Sequence, residues 1–132
     1  MADLSPFHLS IPVPDLPAAR SFYVDKLDCT VGRETNTSID ILFFGHQLTL
    51  HQSSGAMQAQ KLDHFGPVLS KQAWTSIANS LRDLGVSFIM PPKITAEGTP
   101  HESGKYLIAD PAGNVLEFKF YRDFSATLQR NS

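Results

Sequence analysis

Cysteine is almost missing from this chain: Cys29 stands alone among 132 residues, so no intrachain disulfide can form and a reducing compartment is expected. Clusters of Lys and Arg are missing too. With 11 basic and 13 acidic residues the formal net charge is −2, which offers no electrostatic footprint for nucleic acid or an anionic membrane surface. No apolar run reaches membrane-spanning length, and no charged segment leads into an apolar one, so the expected location is cytoplasmic. The nucleophile elbow, the phosphate-cradling glycine loop and the dinucleotide fingerprint are all absent. What is present is a 42% hydrophobic chain of ordinary domain size. It is long enough to bury a core without disulfide or metal staples, as one domain over residues 1–132 with a small molecule as its expected partner.

The chain repeats itself. Phe7-His8-Leu9-Ser10-Ile11-Pro12-Val13 leads into an amphipathic stretch ending near Leu27, and Asp63-His64-Phe65-Gly66-Pro67-Val68-Leu69 leads into another ending near Leu84. Later in each half, Gly45-His46-Gln47-Leu48-Thr49-Leu50-His51 matches Gly113-Asn114-Val115-Leu116-Glu117-Phe118-Lys119. The two modules run from about 5 to 53 and from about 62 to 121. His8, His64 and Glu117 fall at equivalent points of this repeat, and two imidazoles with one carboxylate suit a divalent metal while leaving coordination positions open.

Periodicity assigns the elements. Strands are expected at Phe7–Val13, Cys29–Arg33, Ile39–Phe44 and Gln47–Gln52, with Gly45-His46 as a tight link. A helix signalled by Asp15 and Pro17 runs to Leu27. In the second half, His64–Leu69 reads as a strand and Lys71–Leu84 as a helix, with Trp74, Ile77, Ala78, Leu81 and Leu84 at helical spacing and Gly85 as its left-handed cap. Ser87–Met90, Lys105–Ala109 and Val115–Tyr121 complete the strands. Pro91–Ser103 reads as a proline-broken loop where a substrate lid can lie. Ser53–Lys61 reads as a polar surface linker, and the tail from Arg122 has only Phe124 and Leu128 as anchors.

Phe7–Leu16 with Ser21-Phe22-Tyr23, then Asp63-His64-Phe65-Gly66, then Asp110-Pro111-Ala112-Gly113-Asn114-Val115-Leu116-Glu117-Phe118 resemble the vicinal oxygen chelate superfamily, which includes glyoxalase I, fosfomycin-resistance proteins, bleomycin-resistance proteins and extradiol dioxygenases. The resemblance implies an α+β fold in which two βαβββ modules form a cupped, eight-stranded mixed sheet with flanking helices. It also implies a divalent ion (Fe2+, Mn2+, Zn2+ or Ni2+) held by His8, His64 and Glu117, a small oxygenated substrate, and a homodimer.

Alternation along Val115–Phe120 sets Glu117 opposite Leu116, Phe118 and Phe120, and a carboxylate directed into a closed cup needs a cation or a neighbour such as Lys119. Glyoxalase I-type members carry a further ligand where this chain has Thr49. His51, about 7 Å further along the same strand face, is then a candidate base rather than a ligand. Ring-cleaving dioxygenases place a Tyr where Leu107 stands, and Tyr106 belongs to the opposite face as a packing aromatic. His101, in the loop, is a second acid–base candidate. His46 reads as a surface residue, and Arg33, Lys93 and Lys105 can meet an anionic group if they face the cup. The ligand set lies nearest to extradiol-dioxygenase-like chemistry. Lyase or isomerase chemistry, thiol transfer and metal-free drug binding are the alternatives.

Overall fold

The computed structural model describes residues 6–53 and 62–123, and eight strands lie among them, the longest following apolar alternation. The chain separates into two compact units. One comprises the described residues up to 53 together with Asp110–Gly113, the other residues 62–109 with those from Asn114 onward. The strands are shared equally between two hydrogen-bonded sheets, one in each unit.

The first unit contains β1 (His8–Val13), α1 (Leu16–Ser21), a π-helical turn (Phe22–Lys26), β2 (Thr30–Glu34), β3 (Ser38–Phe43) and β4 (His46–Gln52). Its sheet runs β1-β4-β3-β2, with β1 parallel to β4 and the other pairs antiparallel. Asp15 caps α1 by accepting from the Ala18 amide at 3.0 Å, which satisfies a donor that has no partner within the helix. Leu16, Ala19, Phe22 and Tyr23 are the buried side of this helix and its π-helical extension. Ile11, Val13, Ile39, Ile41, Phe43, Leu48 and Leu50 are the buried side of the sheet. Phe44 and Gly45 both have positive φ, 50° and 84°, so they, rather than Gly45 and His46, form the two-residue hairpin turn. His46 already belongs to β4.

The second unit contains β5 (Val68–Leu69), α2 (Lys71–Asp83), β6 (Met90–Thr95), β7 (Ser103–Ala109) and β8 (Val115–Tyr121), in the order β5-β8-β7-β6. Again the first strand is parallel to the last and the other pairs are antiparallel, so the βαβββ pattern occurs twice, as expected. Ser70 caps α2 through the Ala73 amide at 3.1 Å, and Gly85 ends it with φ +78°. Trp74, Ala78 and Leu81 form the buried stripe, and each large one contributes about 1.5–3 kcal/mol on burial. Trp74 Nε1 donates to the Phe118 carbonyl at 2.9 Å, and the Tyr106 hydroxyl donates to the Trp74 carbonyl at 3.1 Å. Gly104 makes room for this cluster, because a Cβ there would lie 2.2 Å from the Phe120 ring.

Two expected boundaries are corrected. Strand β6 occupies Met90–Thr95 instead of Ser87–Met90, so much of the expected loop from Pro91 is sheet. Pro91 and Pro92 are tolerated because β6 is an edge strand whose register shifts between Met90 and Lys93. The remaining turn is tied down: Glu102 accepts from Lys71 Nζ at 2.6 Å and from the Gly98 amide at 3.2 Å. The strand expected at His64–Leu69 contracts to Val68–Leu69 plus an isolated pairing of Phe65 with Leu116, since Pro67 has no amide hydrogen to donate. Residues 54–61 of the expected linker, and Phe124 and Leu128 of the expected tail, lie outside the described residues.

Candidate metal centre

Strand alternation positions the first donor. Val115, Glu117, Lys119 and Tyr121 share one face of β8, while Leu116, Phe118 and Phe120 are buried on the other. The Glu117 side chain is only 12% exposed, and its carboxylate meets two groups: His64 Nε2 is 3.5 Å and Lys119 Nζ 3.7 Å from Oε1. Lys119 also lies 5.1 Å from the Tyr121 ring centre. The Tyr121 hydroxyl, then Glu117, hold the Lys119 ammonium above its ordinary pKa.

The second donor is delivered by a close backbone crossing. The Phe65 amide donates to the Val115 carbonyl at 3.1 Å, and the Glu117 amide donates back to the Phe65 carbonyl at 2.8 Å. Just beyond these bonds, before the Lys119 amide donates to the Pro67 carbonyl, Gly66 passes so near that a Cβ would lie 1.8 Å from the Glu117 carbonyl oxygen. Only glycine fits there, and its passage sets the preceding imidazole beside the carboxylate. Asp63 Oδ2 lies 2.6 Å from His64 Nδ1. Asp63 thus lies on the Nδ1 side and Glu117 on the Nε2 side of the ring, and an imidazole protonated on Nδ1 would have its Nε2 lone pair free for a metal.

At 3.5 Å from each other, Nε2 and Oε1 would be the two atoms that hold a shared cation. A neutral imidazole and a carboxylate also form a donor set of the right type. Of the three expected ligands, the structure thus brings His64 and Glu117 together. His8 belongs to the first unit, at the exposed start of β1 in register with Gln47. Among the described residues, no group of three His, Cys, Asp or Glu side chains able to hold a metal is present.

The other candidates have defined surroundings. His51, exposed on β4 opposite Pro12 and Ser38, pairs its Nε2 with the Ser10 hydroxyl. His101 is exposed in the turn before β7, where its amide donates to the Thr99 hydroxyl at 3.2 Å. Thr49 donates to Asp40 Oδ1 at 2.8 Å, and Arg33 pairs with the other Asp40 oxygen at 3.5 Å. Arg33 and Asp40 also line a pocket of about 290 Å³ in the first unit. Leu107 stands directly opposite Glu117, and Tyr106 is fully buried and stacked on Phe118 at 5.0 Å, the packing role expected of it. His46 departs from expectation: it is half-buried, and its Nδ1 accepts from the Phe7 amide at 2.7 Å. Burial, then the Asp28 charge, pushes the Cys29 thiol up to about 11, which favours its protonated form at neutral pH. The parts of the site that motif reading leaves out are Asp63 as the orienting group, Gly66 as the crossing point and Tyr121 on the site face. Their signals are the adjacency of Asp63 to His64, the Gly-Pro pair that follows, and the period of two from Glu117.

No curated protein sequence matches the chain. Among solved structures, a glyoxalase/bleomycin resistance protein/dioxygenase from Alicyclobacillus acidocaldarius is 34% identical, with 90% of this chain and 92% of that chain covered and a TM-score of 0.77. A lactoylglutathione lyase from Agrobacterium tumefaciens shares the fold at 17% identity, covering 92% of this chain and 97% of that chain with a TM-score of 0.70. So does a genomically encoded fosfomycin resistance protein from Listeria monocytogenes, at 15% identity over 91% of this chain and 93% of that chain with a TM-score of 0.66. The family model described as Glyoxalase/Bleomycin resistance protein/Dioxygenase superfamily matches residues 5–118, and the chain belongs to that superfamily.

Proposed function

We propose that the chain is a metal-dependent enzyme whose small substrate presents two adjacent oxygens to a divalent ion, with dioxygenase-like chemistry as the first reading. The observation that carries it is the 3.5 Å approach of His64 Nε2 to Glu117 Oε1, with Asp63 on the opposite side of the imidazole. His64 and Glu117 hold the ion together with His8, and residues 1–132 work as one domain in a homodimer.

When bound, the ion (Fe2+, Mn2+, Zn2+ or Ni2+) supplies Lewis-acid stabilisation of the substrate oxygens and, if it is iron, a position for O2. Asp63 keeps the proton on His64 Nδ1. Glu117, largely shielded from water, contributes the negative charge of the ligand set. Lys119 draws on the same carboxylate and limits how much of that charge the ion receives. His51, poised by Ser10, and His101, on its exposed turn, are the proton carriers of this reading. Thr49 supports a three-ligand set, because at the position matching Glu117 it brings a hydroxyl that is already bonded to Asp40. That favours dioxygenase-like chemistry over a glyoxalase-type lyase or thiol transferase.

The metal-free binding reading has one observation of its own: Lys119, 3.7 Å from Glu117, can neutralise the carboxylate without an ion. Elemental analysis of protein purified without added metal separates the two. Near-stoichiometric metal in the wild type, reduced about tenfold or more by His8→Ala, His64→Ala or Glu117→Ala, is the expected result. Wild type and variants equally free of metal would leave the binding module standing. An aerobic against anaerobic substrate screen then divides oxidative from non-oxidative turnover.

A further inference from the structure

The open face of the second sheet carries three lysines in one row. Cross-strand register places Lys93 opposite Lys105, and Lys105 opposite Lys119. Directly opposed residues on neighbouring strands project to the same side, which here is the side of Glu117. Strands about 4.8 Å apart bring the three stems within about 10 Å of one another. Of the three, only Lys119 meets a carboxylate; Lys93 and Lys105 have no ion-pair partner among the described residues.

Like charges placed directly opposite one another destabilise a sheet. Protection of an open edge accounts for a lysine on β6, because edge strands use charge to repel other strands. It does not account for Lys105, which lies on β7, hydrogen-bonded on both sides. A bound anion accounts for the whole row.

We propose that Lys93, Lys105 and Lys119 form a subsite for the anionic end of the substrate. The subsite takes its place in catalysis from the metal reading above. Glu117 and Lys119 are two residues apart on one strand, about 7 Å. The substrate is therefore a small acid whose carboxylate, phosphonate or phosphate lies about that far from the pair of oxygens held near His64 and Glu117. Lysine ammoniums on flexible stems suit this task, because they meet the charge without demanding one planar geometry.

The test is calorimetric titration of chelator-treated, full-length protein with inorganic phosphate and, in a parallel arm, malonate. Wild type binds at least one of them saturably, and the stronger of the two assigns a phosphate-like or a carboxylate end. Lys105→Gln weakens binding about tenfold or more, as loss of a hydrogen bond to a charged group does. The double variant Lys93→Gln/Lys105→Gln abolishes it. Both lysines are exposed, and a thermal melt verifies that the variants fold. Absence of saturable binding by wild type, or binding by Lys105→Gln equal to wild type, overturns the subsite. Metal content measured on portions of the same proteins set aside before chelator treatment keeps the two proposals apart: His64→Ala loses metal and retains anion binding, so either one can fail alone.

Discussion

Glu117 is the residue on which the chemistry turns. A carboxylate 12% exposed needs compensation, and here His64 and Lys119 flank the same oxygen. The two neighbours act differently. Lys119 offsets the charge, whereas His64, with Nδ1 beside Asp63, brings a second donor atom, Nε2, next to it. Asp63 itself is 94% exposed, so water screens much of its pull and its effect on the imidazole is one of orientation more than of field. Asp63→Ala is accordingly expected to weaken metal binding by about tenfold, the lower end of the range for groups that orient a ligand. Competition titration against a chromophoric chelator measures this, and an unchanged affinity would show that Asp63 does not set the tautomer.

Among the elements, the turn between β6 and β7 has the most specific ties. Glu102 is a buried carboxylate that joins Lys71 at the start of α2 to the Gly98 amide, and its own carbonyl accepts from the Arg122 amide at 2.9 Å. The Lys71 hydrogen bond, then the Gly98 amide, hold its carboxyl below the usual glutamate range. A depressed folded value means that the unfolded chain takes up the proton first. The stabilisation is complete above the ordinary glutamate value of about 4.3 and is lost as pH falls from there through the folded value. Glu102→Gln should therefore lower the melting temperature at pH 7 and flatten its decline on acidification. Equal acid sensitivity in both proteins would remove Glu102 from that role. The same turn contains His101, so a variant that loosens it also tests how far that imidazole depends on a fixed loop.

For the molecule as a whole, the duplication is the most legible feature, because each module repeats an order of apolar periods that the unaided eye can follow. Strand β8 is legible to the residue: seven positions alternate without a break, and the structure returns the bounds Val115–Tyr121. Helix α2 is legible for the same reason at another period, with a terminal glycine, whereas its Ser70 cap emerges only from the structure. Strands β5 and β6 are not, since both contain or adjoin prolines and their limits depend on which partner strand supplies hydrogen bonds. The π-helical turn after α1 carries no local signal. At the site, His64 and Glu117 are legible as donor types at repeated positions, and their approach depends on Gly66, whose role shows only when the neighbouring backbone is known. The lysine row is invisible in the chain order, because Lys93, Lys105 and Lys119 become neighbours only through strand register.

The segment that delivers His64 is stitched to β8 by few threads, since β5 contributes only two paired residues and Phe65 a single bridge. The Glu117 and Lys119 amides, which donate to the Phe65 and Pro67 carbonyls, are the seam itself. Amide hydrogen exchange at these two positions should consequently be faster than at Phe118 and Phe120, whose register partners on β7 lie within a longer ladder. An ion clamped between imidazole and carboxylate would close that seam from the side-chain direction. Slowed exchange at 117 and 119 on adding metal would then report occupancy without any substrate in hand, and exchange indifferent to metal would mean that the two donors do not share it.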